Sequence, residues 1–216
     1  MQNQTSGFKA LTMNPMGPES FWPRGKTTGL ALLVLAVILL LTTACRSSSL
    51  HYYAARDLDH QKVRRVAVLP LFNRTGFSEA SRISTSAYIA QMVTKTDYQV
   101  EFPGNIQNFL VRERIIIRDK IDLSTIELMH KRLGVDAVVL GEVIEFFGPA
   151  GETGASDTPL VHLSVRMVDA ETGRILFMAS HFRTGDDYMK IIGIGKIRST
   201  TALAQKVAGE IVDKMP

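Results

Sequence analysis

Between Gly29 and Leu41 the chain runs through apolar residues without a single charge, and the run closes on Thr42-Thr43-Ala44-Cys45. Lys9, Arg24 and Lys26 precede it, and Arg46-Ser47-Ser48-Ser49 follow. A helix that spans a bilayer needs about 20 apolar residues. Gly29 to Ala44 falls short of that, so a permanent transmembrane anchor is the weaker reading. Basic residues, a short apolar core and a small residue at its end are the layout of an export signal. The polar head is long for such a signal, and Met13 and Met16 are alternative starts within it.

Leu41-Thr42-Thr43-Ala44-Cys45 resembles the lipobox of bacterial lipoproteins, departing from it at Thr42, where many lipoboxes carry leucine. That resemblance implies cleavage between Ala44 and Cys45 and acylation of the Cys45 thiol. Anchoring by two or three acyl chains is stable, because each buried methylene contributes about 0.8 kcal/mol and one chain is marginal. Cys45 is the chain's one cysteine, which rules out a disulfide within the monomer. Arg46 replaces the aspartate that retains enterobacterial lipoproteins at the inner membrane, so the expected location is the outer membrane, facing the periplasm.

Three segments follow from this: a signal peptide over 1–44, a lipidated N-terminus and short tether over 45–61, and a periplasmic α/β domain over 62–216. The residues after Cys45 carry 22 Lys+Arg against 20 Asp+Glu, a net charge of +2. Without a basic block or an aromatic-basic run, nucleic acid is not an expected partner.

Within the domain, Val63 to Phe72 starts as a strand whose apolar centre, Val66 to Leu69, suits burial on both faces. Asn73-Arg74-Thr75-Gly76 is turn chemistry, and Ser78 is the expected cap of a helix striped by Ile83, Ala87 and Ala90. Tyr98 to Phe102 reads as a short strand ended by Pro103-Gly104, followed by a brief helix carrying Ile106, Phe109 and Leu110. Asp122 is placed to cap a helix with Leu123, Ile126, Met129 and Leu133 on its buried stripe, stopped by Gly134. Asp136 to Phe147 is a second strand, and Gly148 to Thr158 a polar loop. Val161, Leu163, Val165 and Met167 alternate with polar residues, and Asp169 to Gly173 turns that strand back into Arg174 to Phe182. Leu203, Val207 and Ile211 line a C-terminal helix. The expected fold is α/β: one mixed sheet with helices packed on it, a late antiparallel hairpin and a closing helix.

Three pieces in this order, Val66 to Gly76, Leu133 to Val143 and Val165 to Leu176, resemble the curli-secretion lipoproteins and their relatives. The relatives include the penicillin-binding-protein activator lipoproteins and a set of small lipoproteins. The resemblance spans about Val63 to Met215 and implies a periplasmic domain that binds other proteins and performs no catalysis. Curli-secretion pores insert long hairpins into this domain, and a spanning β-strand needs about 9–11 residues. The loop from Gly148 to Thr158 is too short and polar for such a hairpin, so no pore is expected. The activators carry long tethers, whereas Arg46 to Gln61 extends at most about 3.3–3.6 Å per residue.

No catalytic constellation stands out. His51, His60, His130, His162 and His181 share no metal-ligand spacing, although His162 and His181 could meet across the hairpin. Gly193-Ile194-Gly195-Lys196 lacks the spacing of a phosphate loop, Asp186-Asp187 reads as a solvated acid pair, and Asn73-Arg74-Thr75 is only formally a glycosylation sequon. No cofactor and no metal are expected, and no pocket chemistry is visible. The expected function is a non-enzymatic scaffold or assembly subunit of a cell-envelope or secretion complex. Its partners are the membrane through lipid, other envelope proteins, and further copies of itself. A regulator of a peptidoglycan synthase is the alternative.

Overall fold

Two apolar surfaces need cover in this chain, and a single sheet supplies both. The computed structural model describes residues 50–57, 62–118, 121–148, 158–190 and 194–216. Ala44 and Cys45, His60 and most of the Gly148–Thr158 loop lie outside them. In chain order the elements are β1 (Leu50–Ala54), β2 (Arg65–Val68), β3 (Phe72–Asn73), α1 (Ala80–Lys95), β4 (Gln99–Val100), α2 (Pro103–Arg112) and α3 (Leu123–Leu133). Then come β5 (Ala137–Phe147), β6 (Leu160–Asp169), β7 (Ile175–Thr184), a 3-10 turn (Gly185–Tyr188) and α4 (Thr200–Val212). No helix among the described residues is long and apolar enough to cross a membrane.

The seven strands run in the order β1-β7-β6-β5-β2-β4, with β3 also paired to β5. β2, β3 and β4 pair in parallel fashion, while β5, β6, β7 and β1 are antiparallel. Alternation along β6 sends Val161, Leu163, Val165 and Met167 to one face, where α1 and α4 cover them with Tyr88, Met92, Leu203, Val207 and Ile211. On the other face Ala67, Leu69, Val138 and Leu140 pack under Ile106, Phe109 and Leu110 of α2 and Ile126 and Met129 of α3. The expected α/β architecture is thus the observed one.

Several local details differ. Pro70 has no N–H to give a ladder, and the expected strand breaks there into β2 and β3. Glu79, not Ser78, is the N-cap of α1, and the buried stripe is Ala80, Ser84, Ala87, Tyr88 and Met92. Ala90 is exposed, because the helix turns toward α4 as well as toward the sheet. Pro103 opens α2 rather than merely ending a strand, since its fixed φ suits the first helical position. Asp122 is the N-cap of α3, but its carboxylate accepts hydrogen bonds from the hydroxyls of Ser124 and Thr125. Leu123, expected inside, is 44% exposed. Gly134 stops α3 at φ 66°, as its position implied.

The largest difference lies before the domain. Residues 50–54, expected in the tether, form β1 and pair with β7 from Leu50↔His181 to Ala54↔Phe177. Leu50 and Ala54 pack against the core under α1 and α4, which is why this polar-looking segment folds onto the sheet. The span left between Cys45 and the sheet is Arg46 to Ser49.

Candidate functional site

The register gathers one set of loops at one end of the sheet. β1 starts there, β5 and β7 finish there, and β6 begins there, since Leu50 is opposite His181, Leu160 opposite Thr184 and Phe147 opposite Leu160. The turn before α1 belongs to the same end, because β3 runs alongside β5 at Glu142 and Val143. Asn73 holds that turn: its Oδ1 accepts from the N–H and hydroxyl of Thr75 at 2.9 and 2.8 Å. Phe77 then stacks on Phe146, with ring centroids 5.4 Å apart.

Between the start of α1 and the start of α4 lies an open groove of about 670 Å³, lined by Phe77, Glu79, Arg82, Ile83, Phe146, Gly148, Arg198, Ser199, Thr200 and Thr201. Helix starts present N–H groups without intrahelical partners and carry partial positive charge. Neither helix has an acidic residue in its first turn. Glu79 makes no side-chain cap bond and instead pairs with Arg82. Ser199 caps α4 by accepting from the Ala202 N–H at 3.4 Å. Thr200 is 7% exposed, and its hydroxyl has no hydrogen-bond partner.

Farther along α4, a polar cluster ties that helix to the sheet. His181, fully buried on β7, places Nε2 2.6 Å from Glu210 Oε2, while Arg183 Nε donates to the same oxygen at 3.2 Å. The Tyr188 hydroxyl donates to Glu210 Oε1 at 3.0 Å. Burial alone would raise the Glu210 pKa, but the bonds from His181, Arg183 and Tyr188 outweigh it and hold the carboxyl down at about 2. Burial first, then the Glu210 charge, push the Tyr188 hydroxyl well above its usual range.

His162 and His181 do not meet. Leu163 is the partner of His181 and Phe182 that of His162, so the two imidazoles project from opposite faces. His162 lies 3.0 Å from the Ser180 hydroxyl and edge-on to Phe182, and burial lowers its pKa. His130 Nδ1 lies 2.7 Å from the Val135 carbonyl, beyond the end of α3. Asp187 closes a capping box with Thr184, and Asp186 pairs with Lys196 at 2.9 Å, so the acid pair is spent on local structure. Gly195 takes φ 89°, and next to it the Ile194 carbonyl accepts from the Lys190 N–H at 2.8 Å. Among the described residues no group of three potential metal ligands occurs.

Two further surfaces bear on binding. β1 is a sheet edge with no neighbour on its outer side among the described residues, and Tyr52 and Tyr53 are each 54% exposed on it. The face of β6, β7 and β1 opposite α1 and α4 carries exposed Met178 and Tyr53 beside Arg166 and Ser180. A cavity under Leu140, Arg166 and Met178 holds about 70 Å³, small against the roughly 300–1,000 Å³ of ligand pockets. Sequence reasoning did not single out Arg82, Arg198 or Thr200. They are distant along the chain, and only the side-by-side helix starts bring them together.

No protein-family model and no curated protein matches the chain. Solved structures do. The PelC dodecamer from Paraburkholderia phytofirmans is similar over 77% of this chain and 95% of its own, at TM-score 0.53 and 15% identity. Lipoprotein GNA1162 from Neisseria meningitidis is similar over 69% and 97%, at TM-score 0.49 and 18% identity. The LpoB C-terminal domain from Salmonella enterica is similar over 68% and 91%, at TM-score 0.42 and 12% identity. At these identities the likeness is one of fold, and of these neighbours GNA1162 is a lipoprotein by name.

Proposed function

We propose that this chain is a lipid-anchored protein on the periplasmic face of the outer membrane, held through Cys45. It is non-enzymatic and acts as an assembly subunit of an envelope complex through protein contacts, copies of itself foremost among them. The observation that carries this reading is β1. Edge strands present a row of unpaired N–H and C=O groups, and proteins blunt them with charge, proline or brevity. The opposite edge, β4, is two residues long. β1, Leu-His-Tyr-Tyr-Ala, carries neither charged side chain nor proline. Strand addition there would extend the ladder with backbone bonds and seat the exposed tyrosines against a partner. The PelC chain, similar in fold, is a dodecamer, which supports self-association.

A photo-crosslinking residue at Tyr53 of the full chain in its host, followed by mass spectrometry, tests the reading. Self-adducts, or adducts to other envelope proteins, support it. Adducts confined to a peptidoglycan synthase would instead favour the regulator, and the absence of protein adducts would overturn the assembly role. For the anchor, Cys45→Ala should leave the precursor uncut and release any processed form from the membrane fraction. Unchanged size and fractionation would refute lipidation.

A further inference from the structure

We infer that the end of the sheet carrying Phe147, Met189 and Ile194 rests on an anionic lipid surface, so that the domain touches the membrane directly as well as through its anchor. This rests on the proposed acylation of Cys45, and chain length then sets the orientation. From Cys45 to Leu50 there are five residue steps, which reach at most about 17–18 Å when fully extended. Leu50 is opposite His181, and His181 opposite Leu163, so the three share one level of the sheet. The Asp169–Gly173 turn begins six residues farther along β6, roughly 20 Å away at about 3.3 Å per residue. The domain therefore cannot stand on that turn. The opposite end, where β5 and β7 finish and β6 begins, is the one held at the lipid.

That end presents apolar side chains to its surroundings. Phe147, which closes β5, is 45% exposed, and Met189 and Ile194, beyond β7, are 42% and 67% exposed. Single exposed apolar residues are ordinary on protein surfaces, but several at one place mark an interface. Met189 and Ile194 are held close together, because the Lys190 N–H donates to the Ile194 carbonyl at 2.8 Å. The Ile197 N–H donates back to Gly185 at 3.0 Å, and Lys196 Nζ lies 2.9 Å from Asp186 and 3.0 Å from the Thr158 hydroxyl. These bonds pin both apolar side chains at the end of β7. Lys190 and Arg198, both exposed, flank them without an ion-pair partner among the described residues. The neighbouring acids are engaged, Asp186 by Lys196 and Asp187 by the Thr184 N–H. Apolar side chains rimmed by cations suit a bilayer that contains anionic phospholipid: burial of the first supplies area, and the second meet the headgroup charge.

The test uses the full chain, processed and acylated in its host, then reconstituted into vesicles containing phosphatidylglycerol. The chain's one tryptophan, Trp22, lies in the signal, so Ile194→Trp installs a single emitter in the processed protein. Met189→Trp is a second probe, and Glu171→Trp, exposed in the turn at the far end, is the control. Bromine on the upper acyl carbons reports the depth of about 5–10 Å that interfacial contacts reach. Emission from Ile194→Trp and Met189→Trp should shift to the blue and be quenched, while that from Glu171→Trp should not. Lys190→Glu with Arg198→Glu, added to the Ile194→Trp chain, should reduce the quenching in these vesicles. Quenching that charge reversal leaves unchanged overturns the anionic surface. A chain that floats with the vesicles yet shows no quenching at 189 or 194, or equal quenching at 171, overturns the contact and leaves the anchor standing. A chain that does not float overturns both.

Discussion

His181 Nε2 lies 2.6 Å from Glu210 Oε2, joining β7 to the last helix through a residue with no exposed surface. The Glu210 carboxyl is held at about 2, against an ordinary 4.5. A depressed carboxylate contributes stability that is present above its unfolded pKa and lost as pH falls toward its folded one. Glu210→Gln should therefore flatten the fall in melting temperature between pH 4.5 and about 2. Thermal melts across that window check it. Parallel curves for the two proteins would mean that the cluster does not couple folding to this carboxyl.

Ser84 is fully buried in α1, and its hydroxyl has no partner. Serine is also a weaker helix former than alanine, so nothing visible is lost on replacing it. Ser84→Ala should stabilise the domain by about 0.5–1 kcal/mol. Chemical denaturation reads this directly, and a loss of stability would reveal a hydrogen bond to that hydroxyl.

Gly134 and Gly185 should respond differently to alanine. At Gly134 the backbone stands at φ 66°, but the nearest atom to an added Cβ, Arg65 Nη1, is 3.8 Å away. The cost is conformational, about 1–2 kcal/mol. At Gly185 an added Cβ would collide with the Ile197 carbonyl and press within 3.0 Å of the Pro159 ring. Gly185 also bonds both sides of that junction, to Pro159 and to Ile197, at 2.8 and 3.0 Å. Gly185→Ala should be the more damaging of the two, and should disturb the amide spectrum around Arg198. Equal unfolding midpoints for the two variants would contradict this.

The elements with strong periodicity were readable in advance. β6 alternates cleanly because one face is buried under α1 and α4 and the other is wet. Gly134 announced its stop because few other residues take a positive φ. The α1 stripe is legible in part: Ala87 is buried and Ile83 packs against the core, but Ala90 is exposed and the buried set takes in Ser84 and Tyr88 instead. β1 was missed because two exposed tyrosines and a histidine read as tether. Only pairing with β7 gives Leu50 and Ala54 a surface to cover. The groove was invisible for a different reason: Arg82, Arg198 and Thr200 are ordinary surface or cap residues until two helix starts converge.

β1 itself offers the sharpest test of assembly. The Ala55 N–H donates to the Leu176 carbonyl at 2.9 Å, so by alternation Tyr53 and His51 also turn toward β7, and Tyr52 and Ala54 turn outward. Proline at position 52 would remove an outward donor while sparing the bonds to β7, which is where edge strands tolerate it. The Tyr52 ring faces Lys214 at 5.9 Å, an exposed contact worth about 0.5–1 kcal/mol. Tyr52→Pro should thus stay folded yet lose self-association. Light scattering of the full chain in detergent should show an assembly for the native protein and a smaller mass for the variant. A native chain that is monomeric, or an assembly that Tyr52→Pro leaves intact, would remove β1 from the interface.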